Sequence, residues 1–213
     1  MITQNVKNVL VLAPHTDDGE LGCGATIARL IDEGANVYYA AFSTAAASVP
    51  SRFPSNQLEI EVRHATAKLG IPESNLIVYD YEVRKLNYVR QEILEQLVSL
   101  RSEVNPDLVF MPSSKDIHQD HLTMYNEGLR AFKFSSILGY ELIWNNLSFS
   151  TDTFIVVSED QVQRKIDALK EYKTQEGRNY MSPDFIRSLA TVRGTQIGAQ
   201  YAEAFEAVRI IAQ

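Results

Sequence analysis

The stretch Asn8-Val9-Leu10-Val11-Leu12-Ala13-Pro14-His15-Thr16-Asp17-Asp18-Gly19 decides the reading of the fold. Its first six residues run apolar without alternation, the pattern of a strand buried on both faces of a parallel sheet. From Leu21 the period changes: Leu21, Ile27, Leu30 and Ile31 fall at helical spacing, and Gly34 stands where a helix C-terminal cap belongs. Residues 37–42 read as a second strand. A loop with Pro50 and Pro54 leads to a helix over 58–69 that Gly70 ends, and 76–79 gives a third strand. A helix over 88–104 stops at Asn105-Pro106 before a fourth strand at 108–111. Strand, helix and strand in repetition predict an α/β protein: a three-layer, mostly parallel open sheet with helices on both faces, Rossmann-like in plan.

Further along, a helix is expected over 118–132, strands over 140–144 and 153–157, a helix over 160–172 and a last extended piece near 204–211. No repeat, low-complexity tract or linker interrupts the pattern, so residues 1–213 are expected to form one domain. In open α/β sheets ligands gather outside the carboxyl ends of the strands. Residues 14–18 and 112–121, which follow strands one and four, should therefore meet at one edge.

With 213 residues and 45% hydrophobic content the chain can bury a full core. Its net charge of −7 argues against binding to nucleic acid, which needs a basic face, and favours a small neutral or cationic molecule or an uncharged sugar. One cysteine, Cys23, excludes an internal disulfide, and no apolar run reaches the ~18 residues of a membrane span. Residues 1–7 are polar and lack the apolar centre of a secretory signal, so a cytoplasmic location is the expectation.

Chemistry concentrates in two places. His15-Thr16-Asp17-Asp18 puts an imidazole and two carboxylates into four positions, although a turn histidine and helix-capping aspartates would look the same. Asp116-Ile117-His118-Gln119-Asp120-His121 adds two histidines three apart beside two more aspartates. Either cluster alone is weak evidence. Together, both after parallel strands and about a hundred residues apart, they match a catalytic zinc site, which takes three N or O ligands and keeps a position for water. Spacing leaves open which three of these residues hold the metal.

At these motifs the sequence resembles the LmbE/PIG-L family of zinc-dependent GlcNAc deacetylases. The family's P-H-P-D-D motif stands here as Pro14-His15-Thr16-Asp17-Asp18, with Gly19 following, and its H-x-D-H motif as His118-Gln119-Asp120-His121. Softer matches are Glu61, Ala65 and Leu69-Gly70, then Pro106-Asp107-Leu108-Val109-Phe110, and Tyr201-Ala202-Glu203-Ala204-Phe205 near the end. The resemblance implies an LmbE-like fold and a hydrolase that de-N-acetylates an N-acetylglucosamine-type sugar or its conjugate with a zinc-activated water. It makes His15, Asp18 and His121 the ligands of Zn²⁺, or of Fe²⁺ or another divalent metal, and leaves Asp17 as general base. His118 becomes the oxyanion stabiliser or proton donor, and Asp120 the residue that reaches back to orient that imidazole. A homo-oligomer is implied on the same ground. Two other readings stand beside it: a zinc amide or ester hydrolase of a non-sugar substrate, and a non-catalytic sugar- or nucleotide-binding module.

This chain departs from the family pattern twice. Thr16 replaces the usual proline, removing a fixed φ from the ligand turn. Leu58 stands where the family often has a substrate-binding arginine, so Arg52, in a loop, is expected to take that part in preference to Arg63, inside a helix. Other features read as structural. Gly19, Gly22 and Gly24 suit tight helix packing better than a dinucleotide, because strand two ends in Phe42-Ser43 with no acid for a ribose. Cys23 reads as a small buried residue, His64 as a partly exposed helix residue, and Tyr79, Tyr81 and Tyr88 as core packing or as the lining of a sugar cleft.

Overall fold

A computed structural model describes residues 6–211; the polar stretch 1–7 therefore lies outside the described residues through residue 5. Among the described residues seven strands make one sheet: β1 (Asn8–His15), β2 (Asn36–Ser43), β3 (Leu76–Val78), β4 (Leu108–Pro112), β5 (Ser136–Tyr140), β6 (Thr153–Val156) and β7 (Ala202–Arg209). Their order is β3-β2-β1-β4-β5-β7-β6. The first five are parallel, and β7 runs antiparallel to both β5 and β6. Between β1 and β4 the chain reverses its direction of travel across the sheet, which makes the crevice beyond these two strands the natural ligand site.

The helices are α1 (Asp18–Asp32), α2 (Gln57–Leu69), α3 (Arg90–Val104), α4 (Gln119–Ala131), α5 (Glu159–Leu169) and α6 (Pro183–Thr195). Successive side chains of a strand point to opposite faces, so β1 feeds two cores. Val9, Val11 and Ala13 pack with Ile27, Val62, Ile166 and Ile186 of α1, α2, α5 and α6. Leu10 and Leu12 pack with Ile93, Leu97 and Met124 of α3 and α4. This is the three-layer arrangement that the alternation of elements predicts.

Glycine caps end α2 at Gly70 (φ 96°) and follow α1 at Gly34 (φ 91°). Inside α1 the backbone breaks at Cys23 (φ −146°), a buried free thiol, and the carboxylate of Glu203 caps the second half by accepting from the N–H groups of Ala25 and Thr26. Lys165 Nζ closes the break, donating to Leu21 O at 2.7 Å and to Glu203 at 2.6 Å. Gly22 is required by contact: a Cβ there would lie 2.4 Å from the Tyr140 ring.

One strand differs from the reading of the sequence. The fifth strand is 136–140, not 140–144, and Leu142–Asn146 forms a turn closed by the bond from Asn145 N to Leu142 O at 2.8 Å. Gly139 breaks the apolar run that marks a strand, yet only glycine fits, because a Cβ would meet Ser113 Cα at 2.9 Å. Two helix ends also shift. A 3₁₀ turn over Leu86–Tyr88 precedes α3, and α5 stops at Leu169, short of 172.

Candidate active site

His15 ends β1 and Asp18 begins α1, so one sharp turn sets an imidazole and a carboxylate at the sheet's carboxyl edge. Next to β1, the loop after β4 delivers His118 as the N-cap of α4 and His121 in that helix's first turn. Residues 106 positions apart thereby come into contact: His121 Nε2 lies 3.2 Å from His15 Nδ1. Asp18 Oδ2 lies 3.1 Å from His15 Nδ1 and 3.2 Å from His121 Nε2. Three donor atoms thus form a nearly equilateral triangle. A tetrahedral zinc with ligands at ~2.0–2.1 Å has ligand-to-ligand edges of about 3.3 Å, so the triangle fits one face of such a site.

Proton placement agrees with this fit. His15 Nε2 is 2.9 Å from Asp120 Oδ2 and His121 Nδ1 is 2.7 Å from Asp116 Oδ2, so each outer nitrogen donates to a carboxylate. The inner nitrogen of each neutral ring is then left bare, as carboxylate–histidine–metal arrangements require. Asp120 does not orient His118 with its side chain, as the sequence suggested. Its carboxylate instead holds His15, while its backbone N–H donates to His118 Nδ1 at 3.2 Å. Because His118 Nδ1 accepts that bond, the proton of its neutral ring sits on Nε2, from which it can be donated. His15, His118 and His121 do bring ring nitrogens within 4.8 Å of one another, but Asp18 completes the tighter triangle.

The electrostatics are those of a cation site. Burial disfavours the charged ring of His15, yet the Asp18 carboxylate and then Asp120 raise its pKa to about 9. His121 likewise rises to about 10 against the effect of burial, through Asp18 and Asp116. Asp18 is held well below the usual carboxylate range by the two imidazoles despite its burial. Burial, and after it the charge of Asp18, pushes Asp17 up to about 6. Asp17 occupies the N-cap position of α1 but its side chain accepts no capping bond, unlike the capping role the sequence also allowed. Burial and the neighbouring His121 and His15 lower His118, which favours its neutral form.

The turn between His15 and Asp18 lacks a proline and is pinned by other means. Thr16 O accepts from Tyr39 Oη at 2.9 Å and from Tyr172 Oη at 2.7 Å, and both hydroxyls also meet the buried Glu20. Burial pushes Glu20 up to about 8.

The rim of this floor holds residues that sequence patterns do not mark: Arg178 and Tyr180 act electrostatically with Asp17, and Arg84 is bonded to Asp120. Trp144 and Tyr180 stack with centroids 3.9 Å apart, and Arg178 donates to Tyr180 Oη. Glu61 is buried and accepts from Thr174 N at 3.1 Å and Thr174 Oγ1 at 2.6 Å, anchoring the segment that leads to Arg178 and Tyr180. Arg84 N–H donates to Asp120 Oδ2 at 2.6 Å. Of the arginines read from the sequence, Arg52 lies over the Phe53 ring at 5.0 Å, and Arg63 is paired with Glu59 and Glu73. Leu58 is part of the core. Tyr79 and Tyr81 stack with Phe42, while Tyr88 is exposed. Asp116 could have been found as the outermost acid of its cluster; Arg84, Trp144, Arg178 and Tyr180 carry no local signal.

Residues 10–132 match the family model described as PIG-L: GlcNAc-PI de-N-acetylase. The uncharacterized deacetylase YaiS of Escherichia coli (strain K12) is 29% identical over 174 residues, 79% of this chain and 91% of that protein. N,N'-diacetylchitobiose deacetylase from Pyrococcus horikoshii superposes with a TM-score of 0.79 at 22% identity, covering 95% of this chain and 84% of that one. GalB, the 4-carboxy-2-hydroxymuconate hydratase of Pseudomonas putida KT2440, also reaches 0.79 at 18% identity, covering 97% and 98%. The two structures establish the shared fold; the hydratase shows that one fold carries different reactions, so the chemistry must be argued from the site. Among the described residues no helix is long and apolar enough to cross a membrane.

Proposed function

Since this chain belongs to the PIG-L (GlcNAc-PI de-N-acetylase) family, we propose that it is a metal-dependent N-deacetylase of an N-acetylglucosamine-type amino sugar or its conjugate. The observation that carries the reading is the triangle of His15 Nδ1, Asp18 Oδ2 and His121 Nε2, with Asp17 free beside it. When bound there, Zn²⁺, or Fe²⁺ or another divalent ion, supplies Lewis-acid polarisation of the acyl oxygen and a lowered pKa for water.

The chain's own residues supply the rest. Asp17 takes a proton from the attacking water as the new C–O bond forms, and gives it to the sugar nitrogen as the C–N bond breaks, leaving acetate and a free amine. His118 donates from Nε2 to the acyl oxygen as negative charge grows on it. Asp120 and Asp116 fix the two ligand rings. The Trp144–Tyr180 stack offers an apolar face of the kind sugars pack on. Cytoplasmic location and a homo-oligomeric state belong to the same proposal, and light scattering on purified protein reads the second.

The test is release of acetate from a panel of N-acetylglucosamine conjugates by zinc-loaded protein. Turnover of at least one conjugate is expected. Metal-loaded protein that releases acetate from none of them, or that prefers non-sugar amides, would refute the assignment.

A further inference from the structure

Two non-glycine residues at the carboxyl edge of the sheet hold left-handed backbone: Ala45 (φ 47°) beyond β2 and Arg84 (φ 66°) beyond β3. Such a conformation costs a side-chain-bearing residue about 1 kcal/mol or more and persists where the surroundings impose it. For Arg84 the active site imposes it. Asp120 Oδ2 accepts the Arg84 N–H at 2.6 Å and faces His15 Nε2 at 2.9 Å, while Asp120 Oδ1 accepts from Leu86 N at 3.1 Å. The carboxylate that orients a ligand ring therefore also sets this turn. Glycine would meet the backbone demand at least cost, so an arginine here points to a use for its side chain.

That side chain is exposed at the rim. Its Nη2 donates to Ser48 Oγ at 3.1 Å, tying the loop after β3 to the loop after β2. Among the described residues the guanidinium is thus steadied by a hydroxyl and is not neutralised by a carboxylate. Asp17, Asp18, Asp116 and Asp120 crowd the floor below, and the whole chain carries a net charge of −7. The imidazoles of His15 and His121, or an ion held between them, offset part of this charge, and Arg178 is the other guanidinium near Asp17. The remaining negative field makes a cation at the mouth the group that an anion would meet. Arg52, by contrast, lies over the Phe53 ring.

We propose that Arg84 binds an oxyanion, phosphate or carboxylate, carried by the amino-sugar conjugate, and so makes the enzyme select anionic conjugates over neutral ones. The planar fork of an arginine matches either group through paired charge-assisted hydrogen bonds. This inference rests on the reading of the site as one for N-acyl amino sugars.

Binding of three sugars to zinc-loaded protein, read by calorimetry, tests it: N-acetylglucosamine 1-phosphate, N-acetylmuramic acid and methyl N-acetylglucosaminide. Wild type should bind at least one anionic sugar roughly tenfold or more tightly than the neutral one, as a charge-assisted pair provides. The phosphate and lactyl-carboxylate arms distinguish the two sources of the oxyanion. Arg84→Gly suits the backbone, so its Tm should hold or rise while the anion preference falls close to one. Arg84→Lys should keep part of the preference. A preference that survives in Arg84→Gly, one that is lost in Arg52→Ala instead, or none in wild type would overturn the assignment. All of these proteins carry Asp17→Asn as well, which keeps the metal and slows turnover, so that binding is read apart from the reaction. Anionic sugars that bind through Arg84 but release no acetate when Asp17 is intact would refute the proposed reaction and leave this role of Arg84 standing.

Discussion

Asp120 and His15, 105 positions apart in sequence, are joined by a 2.9 Å hydrogen bond between Oδ2 and Nε2. Asp120 also accepts from the N–H groups of Arg84 and Leu86, so three donors converge on two carboxylate oxygens. Asparagine has one acceptor oxygen, and its amide would confront at least one N–H donor. Asp120→Asn should therefore lower metal affinity about 10- to 100-fold, the usual effect of losing a residue that orients a ligand. Titration with a zinc indicator reads this. Unchanged affinity would mean that Asp120 does not hold the His15 ring in place.

Asp17 and Asp18, adjacent in sequence, should fail differently. Asp17→Asn keeps the shape and the metal, yet cannot accept a proton, and kcat should fall by roughly 10² to 10⁴. Because Asp17 is pushed up to about 6 by burial and by Asp18, it accepts protons only as pH rises through that value. A divalent ion beside Asp17 lowers this value, so the wild-type profile should show an acid limb at or below about pH 6 that is absent in Asp17→Asn. Asp18→Asn should lose metal and regain part of its activity in excess zinc. Metal lost from the first variant and kept by the second would show the two roles to be exchanged.

Protons and metal compete for the same nitrogens. Against the effect of burial, their carboxylate neighbours raise His15 to about 9 and His121 to about 10 in the metal-free protein, above the ordinary value of 6.5. A ring whose pKa is raised by folding contributes stability that is complete below the unfolded value and is lost as pH rises through the folded one. The Tm of metal-free protein should accordingly fall between about pH 7 and pH 10. Zinc uptake at pH 7 should release about two protons, read by calorimetry in buffers of different ionisation enthalpy. Release of none would mean that zinc does not displace the protons of these rings.

Gly22→Ala would drive a methyl to 2.4 Å from the Tyr140 ring, in the first half of the helix that begins at Asp18. Overpacking of this kind costs about 1–3 kcal/mol, so a lower Tm is expected in a thermal melt. An unchanged Tm would show that the contact relaxes freely.

Much of the fold is legible because local signals agree with it. The apolar run of β1, the cap at Gly70 and the stop at Asn105-Pro106 each describe their own segment. The fifth strand is misplaced because Gly139 is dictated by Ser113, a neighbour in space that no local window contains. The site divides in the same way. His15, Asp18 and His121 lie within short motifs, but the partner of Asp120 is settled by packing between β1 and α4. Nothing near Arg84 in sequence announces its positive φ, since Asp120 imposes it from another loop. Arg52 is favoured by sequence position, which says nothing of where its loop lies relative to the site.

The most direct test of the central claim is anomalous diffraction at the zinc edge from crystals of zinc-loaded protein. One strong peak is expected about 2.0–2.2 Å from each of His15 Nδ1, Asp18 Oδ2 and His121 Nε2. A peak bound by His118 in place of Asp18, or no peak at this edge of the sheet, would contradict it.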